Sequence, residues 1–399
     1  MRVSTSTMYE VGTGALLRQQ SELLRTQQQL ATGRRMLTAA DDPAAAAAAL
    51  RVSQSLADNL QLQANQQAAG NSLAVAESTL GSAGDVLQSV QQRLLQAQNA
   101  TLSAAERGII ADDVDGMLGQ LLGLANARDG AGAYLFAGYS ESAIPFVAAP
   151  GGVTYQGDDG SRKLEVASGR TLGVSASGND IFMRIKTGNG VFATAADSAN
   201  AGGGIIDSGS VADPQALTGR AFRLTFAVSA GVTTYDVLDT TTGAAVSSNN
   251  PFSAGQSITV AGMQMTITGN PAGGDSFSAV PSRNQGVFQT LSDATAALRS
   301  GMGTGARVST VNSALANVFQ ATDRVLTMRA EFGTRMNEIS AHDNVAGAVV
   351  LEHRKRLSEL QDIDYTEAAS RLARQQTTTE AAQRSFASVT KLSLFNYLT

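Results

Sequence analysis

No cysteine and no tryptophan occur in the 399-residue sequence. Without cysteine the fold has no disulfides and no thiolate metal sites. A chain exported unfolded also has no use for a reactive thiol. Aromatic residues make up only 5%. The hydrophobic content is 43%, and much of it is alanine, which favours long, closely packed helices over a bulky central core. Charged residues are also scarce, at 16%, with a net charge of −5. That balance argues against binding to nucleic acid or another polyanion. The one dense basic run, His353–Arg356, reads as a solvated helix face. No apolar run approaches the roughly eighteen residues of a membrane helix, so no membrane insertion is expected. The opening MRVSTSTMYEVGTG lacks the apolar core of a secretory signal peptide. The chain is therefore either cytoplasmic or exported by a route that reads no such signal. Its length suits two or three domains.

What is present falls into three zones. Residues 1 to about 138 are rich in Gln, Ala and Leu with helical periodicity. The stretch from about 140 to 283 is rich in Gly, Thr, Ser and Val with turn signals. From about 284 onward the first style returns. The expected fold is mainly α: a discontinuous long-helix coiled-coil bundle built from both ends, with an inserted small antiparallel β domain. The expected divisions are 1–40 with 362–399 as a terminal coiled-coil assembly domain, and 41–187 with 284–361 as a helical bundle. A β-hairpin at about 150–178 belongs to that bundle, and 188–283 is a variable β insert.

Leu16, Leu23 and Leu30 recur every seven residues, with Leu17 and Leu24 beside them. Gly33 offers a stop for that helix, and Asp42-Pro43 reads as the N-cap and first residue of the next. A helix up to Ala31 would be roughly 40 Å long at about 1.5 Å per residue. The clearest pattern follows. Leu73, Leu80, Leu87 and Leu94 hold one heptad position, with Ala76, Ala83, Val90 and Ala97 three residues after each. Four such heptads signal a coiled coil whose small residues permit close approach. Val311, Val318, Val325, Phe332 and Ile339 repeat the pattern near the other end, and the two runs are natural partners. Ser103 with Glu106 resembles a capping box. Asp364 can cap a last helix whose apolar face holds Leu372, Phe386, Val389 and Leu392. Between the helical zones, Val153–Gln156, the turn Gly157–Gly160 and Lys163–Ala167 read as one hairpin.

Signs of chemistry are sparse. His342 and His353 lie three helical turns apart, too far to share one metal ion. Gly301–Gly305 lacks the Lys-Ser/Thr of a phosphate loop and reads as a flexible connector. Capping explains the adjacent carboxylates of Asp41 and Asp42. No catalytic, cofactor or metal residues are nominated, and none for an enzyme. The first and last helices carry apolar stripes too narrow to make a domain alone. Partner subunits are expected to cover Leu16, Leu23, Leu30, Leu372, Phe386, Val389 and Leu392.

The stretch LATGRRMLTAADDPAAAAAAL from Leu30 and the ending RLSELQDIDYTEAASRLARQQTTTEAAQRSFASVTKLSLFNYL from Arg356 resemble the two ends of bacterial flagellins and their hook-associated relatives. Within that family, MRVSTSTMY and GAYLFAGYSESAIPF (from Gly132) are closer to hook–filament junction members than to filament flagellin. The resemblance implies a structural subunit of the bacterial flagellum, forming a ring of its own copies between the first junction protein and flagellin. It also implies an extracellular position, export through the flagellar type III apparatus without a cleaved signal, a cytoplasmic export chaperone, and no cofactor. Filament flagellin remains the nearest alternative, and a coiled-coil adhesin or tail-fibre protein a more distant one.

Overall fold

The computed structural model describes residues 5–149 and 152–395. The helices are α1 (Thr5–Thr32), α2 (Pro43–Ala97), α3 (Ala104–Ala125), α4 (Val287–Arg299), α5 (Thr304–Gln361) and α6 (Tyr365–Phe395). Their starts follow the capping chemistry of the sequence. The Asp42 carboxylate accepts the Ala45 N–H at 3.0 Å ahead of Pro43. Ser103 and Glu106 form the reciprocal capping box of α3. Asp364 accepts the N–H groups of Thr366 and Glu367, while Glu367 turns instead to Arg371.

The chain forms two compact units, 1–64 with 342–399 and 65–341. These boundaries fall inside α2 and α5 rather than at 40 and 362. The reason is where the apolar seam starts and stops. The dense run of buried heptad positions spans Ala69 to Ile339, and beyond it the buried positions are sparser, Ala45 and Ala49 on α2 and Ala346 and Val350 on α5. Outside that span the same helices expose Leu50 and Leu60, and Val345 and Leu351.

In the unit 65–341, α2 and α5 run antiparallel. Gly84 lies against Val325, Gly70 against Ile339, and Gln98 donates to Asn312 at 2.8 Å. Leu73, Leu80, Leu87 and Leu94 are buried in this seam with Val311, Val318, Val325, Phe332 and Ile339. Glu77 and Arg329 pair at its edge at 2.7 Å. α3 packs on α4 and completes the same core through Val114, Leu121, Leu291 and Leu298. Burying this many side chains is the main stabilising term, about 2–5 kcal/mol lost per buried leucine cut to alanine.

The single hairpin expected near 150–178 is two. β1 (Phe146–Ala149) pairs with β2 (Gly152–Tyr155), and β3 (Lys163–Ala167) pairs with β4 (Arg170–Gly173). The Gly157–Gly160 segment is not a hairpin turn because Asp158 is used elsewhere. Its carboxylate accepts the N–H groups of Tyr139 and Gly160 and the Ser140 hydroxyl. Those donors hold it well below the usual carboxylate range, Tyr139 first. Gly138, at φ +76°, has no room for a Cβ, which would run into the Asp158 carbonyl and carboxylate. Phe136, Phe146, Phe182 and Phe288 form an aromatic cluster beneath, with ring centroids 5.4–6.0 Å apart.

The insert leaves and returns at one place. Lys186 in β5 (Ile185–Lys186) pairs with Asn284 in β15 (Asn284–Gln285). Between them lie β6 (Phe192–Ala196), β7 (Ile205–Ile206), β8 (Ser210–Val211), β9 (Phe222–Ser229), β10 (Val232–Asp239), β11 (Ala245–Pro251), β12 (Ser257–Val260), β13 (Met263–Thr268) and β14 (Ser276–Pro281). The main sheet runs β11-β10-β9-β14-β6. β13 pairs with β12, β7 and β8 in a second sheet. Alternation on β9 buries Phe222, Leu224 and Phe226, which share a separate core with Phe192, Met265, Ile267 and Phe277. Despite this core, the insert groups with 65–341. Its backbone is tied to α5: Gly188 N donates to Asn317, Ile206 N to Ser309, and Ser313 donates to Thr194 O.

Candidate assembly surface

The unit 1–64 with 342–399 holds the terminal helices. α1 ends where Gly33 enters the left-handed region at φ +69°. The chain then crosses its own other end. Ile363 N donates to Gly33 O at 3.0 Å, and Arg35 N to Gln361 O at 2.7 Å. Gln29 donates to Arg35 O at 2.6 Å, and Arg35 Nη2 to Leu360 O at 3.0 Å. Asp41 fixes the following turn. It accepts from Thr38 N and Leu37 N and pairs with Arg25 at 2.7 Å. Those backbone donors, Thr38 first, hold its carboxyl below the ordinary range. It does not cap a helix; Asp42 beside it does.

From this crossing α1 and α6 run antiparallel. A Cβ on Gly33 would stand 2.8 Å from the Tyr365 hydroxyl, and one on Gly12 2.6 Å from the Phe386 ring. Gly12 is thus a notch for Phe386, and Tyr9 meets that ring edge-on at 5.1 Å. In this register Leu16 lies level with Ala382, Leu23 with Gln375 and Leu30 with Ala368. The seam is thin and partly polar. Its buried members include Thr26, Gln29, Ala368 and Thr379. The Thr26 and Thr379 hydroxyls bond back to Glu22 O and Gln375 O in their own helices. Gln375 Oε1 is buried with no donor among the described residues.

Leu16, Leu23, Leu30, Leu372 and Phe386 are half-buried on this seam within one chain. The facing helix of the same chain covers part of each of them and leaves part of each exposed. Val389 is 43% exposed. Leu392 falls within α6, but its side chain lies outside the described residues. The neighbouring stripe of α1 is left open: Leu17 and Leu24 are 66% and 53% exposed. Leu17, Gln20, Ser21, Leu24, Arg25 and Gln28 line a shallow groove along it. Leu17 and Leu24 stand in the sequence beside the Leu16 repeat, at the same seven-residue spacing. Spacing alone does not say which of two adjacent stripes faces the partner helix.

His342 and His353 are each half-buried, and among the described residues no group of three or more His, Asp or Glu is placed to hold a metal ion.

Paired terminal helices joined to a β-bearing middle define the flagellin class. The model of the bacterial flagellin N-terminal helical region matches residues 3–141, and that of the C-terminal helical region matches 315–398. At full length the chain is 27% identical over 396 residues to the flagellar hook-associated protein 3 of Salmonella typhimurium, covering 99% of both. The crystal structure of Xanthomonas campestris FlgL matches 77% of this chain and 99% of its own, with 31% identity and a TM-score of 0.71. That of the Legionella pneumophila hook-associated protein-3 matches 77% and 98%, with 28% identity and a TM-score of 0.72. The chain belongs to the flagellar hook-associated protein 3 family.

Proposed function

We propose that the chain is a structural subunit of the bacterial flagellum at the hook–filament junction, assembling through the α1–α6 pair. The observation that carries this is the two-striped α1. One stripe is spent on α6; the other, through Leu17 and Leu24, is apolar and uncovered. A helix apolar on two adjacent faces suits a layer packed on both sides. The α1–α6 seam positions Leu16, Leu23, Leu30, Leu372 and Phe386 hold the pair together, and Val389 extends it. Neighbouring copies close a ring on the second stripe. The first hook-associated junction protein on one side and flagellin on the other are the proposed end partners. Export through the flagellar type III apparatus, with a cytoplasmic chaperone on the unassembled ends, brings the chain to its extracellular position. Membership in a family of flagellar components supports this reading, and the role is mechanical rather than catalytic. The domains follow the same logic: the terminal pair assembles, the bundle of α2–α5 spaces it, and the insert at 188–283 lies on α5.

The test is Leu17→Glu with Leu24→Glu in the full chain, expressed in cells lacking the native gene. The variant is secreted normally and keeps its helical circular dichroism, but hooks remain bare and flagellin is lost to the medium. Filaments of normal number and length would overturn the reading.

A further inference from the structure

Where the insert meets the bundle, a cleft of 390 Å³ remains that the assembly role does not use. β6 and β14 line it from the insert, and α4 and α5 line it from the bundle. Ala193, Ala195 and Ala314 leave the space that larger side chains would fill. The volume falls within the range of small-molecule sites, about 300–1,000 Å³. The lining is polar, and its Thr187, Thr194 and Thr290 are buried. Thr290 and Thr310 donate their hydroxyl protons to Gly286 O and Ala306 O, so their oxygens remain as acceptors. Asn317 accepts the Gly188 N–H through Oδ1 at 2.7 Å, and its amide N–H groups remain as donors. Two charges of opposite sign border the same cleft. Asp293 of α4 accepts from Gln285 at 3.1 Å and from Gln289 at 2.7 Å, one amide on each carboxylate oxygen. Those neutral amides orient the carboxylate without neutralising it. The Arg283 guanidinium has no acceptor and no ion-pair partner among the described residues. Its backbone is fixed, since Arg283 N donates to Thr187 Oγ1 at 3.1 Å and Arg283 O accepts from Thr187 N at 3.0 Å. Arg283 thus continues the β5–β15 pairing two residues before Gln285, on the same side of the strand and roughly 7 Å along it. Gln285 in turn holds Asp293, so the two charges border one small volume without pairing with each other.

We propose that this cleft binds a small zwitterion of the amino-acid class, with Arg283 taking its carboxylate and Asp293 its ammonium group. The guanidinium presents a planar fork that matches the two oxygens of a carboxylate. The Asp293 carboxylate retains lone pairs beyond those its two glutamines use, and an ammonium group brings three donors to them. An ion of one sign would neutralise one border of the cleft and be repelled by the other. A neutral polyol would meet the hydroxyl oxygens and leave both charges unpaired. Only a ligand carrying both charges matches both borders at once. The alanine floor admits a short side chain, and the threonine oxygens and the Asn317 amide suit a polar one. The cleft lies wholly within the unit 65–341 and does not involve the terminal helices. A bound zwitterion joins the base of the insert to α4.

The experiment titrates the full chain, labelled at its alanine methyl groups, with L-serine and follows the methyl resonances by NMR. The expected result is a saturable shift of Ala193, Ala195 and Ala314, with the alanines of α2 unmoved. N-acetyl-L-serine lacks the ammonium group and L-serine methyl ester lacks the carboxylate. Each should bind weaker by about tenfold or more, the scale of one lost charge-assisted hydrogen bond. Arg283→Gln and Asp293→Asn should each weaken L-serine to the same degree. Both side chains are exposed, so neither substitution removes part of the core. Should either variant fail to fold, the two blocked ligands on the wild-type chain still give the answer. No saturable shift at the three alanines overturns the proposal. So does a shift that either blocked ligand reproduces at equal affinity, or one that D-glucose matches, which would mark a cleft for polar molecules without regard to charge.

Discussion

The two antiparallel helix pairs of this molecule use one grammar and different vocabulary. The α2–α5 seam repeats leucine and valine against alanine, and every heptad leucine from Leu73 to Leu94 is fully covered. The α1–α6 seam keeps the seven-residue spacing but fills it with Thr26, Gln29, Gln375 and Thr379, and leaves its leucines half-exposed. The first pair buries enough apolar surface to hold itself together. A seam of threonine methyls and a glutamine oxygen without a donor contributes far less per turn. The comparison teaches that heptad spacing sets geometry, whereas side-chain identity decides whether a pair stands alone or waits for a neighbour.

The comparison breaks most severely at Leu87→Asp. A carboxylate with no partner inside the α2–α5 seam costs several kcal/mol, on the order of 3–5. The unit 65–341 should lose cooperative unfolding or melt more than ten degrees lower by circular dichroism. An equivalent charge at Leu23, half-exposed on the terminal seam, should leave that transition in place. Next in size is Gly138→Ala. The left-handed backbone and the clash with Asp158 together cost about 2–4 kcal/mol. Faster proteolysis between residues 138 and 162, with little change at the insert, is the expected result.

A smaller effect sharpens the contrast from the other side. Thr26→Leu with Thr379→Leu makes the terminal seam apolar and should stabilise that pair by about 1–2 kcal/mol. Slower amide exchange along α1 and α6 would show it, and unchanged exchange would mean that the polar seam is not what weakens the pair. The smallest effect is with acid. Asp158 is depressed in the folded chain, so its contribution is complete above the ordinary aspartate value of about 3.9 and is lost as pH falls through the lower folded value. The Tyr139 amide resonance should therefore stay constant from neutral pH to about 5 and titrate only below about 3.9. A midpoint above that value would contradict the assignment.

Much of this was legible in the residues. Asp42-Pro43 and Ser103 with Glu106 mark helix starts because capping is local chemistry, complete within four residues. The paired heptads mark the long seam because burial on one helix face imposes its period directly. The Gly157–Gly160 turn misleads for the opposite reason. Its local signal is that of a hairpin, but Asp158 answers to backbone donors at Tyr139, nearly twenty residues away. Leu16 and Leu17 illustrate another limit. Both belong to seven-residue repeats, and only the α6 register set by Gly12 and Phe386 decides which is inside. The unit boundaries near 64 and 342 were hidden because no helix breaks there; the seam changes while the helices continue.

The central claim is that the α1–α6 pair is weakly held in a single chain and is completed by assembly. Amide hydrogen exchange of the isolated full-length subunit, read by mass spectrometry, tests it most directly. Segments from α1 and α6 should exchange within seconds, by opening of the terminal pair alone, while segments of α2 and α5 between residues 69 and 339 remain protected for hours. Protection of α1 and α6 equal to that of the α2–α5 seam would contradict the account.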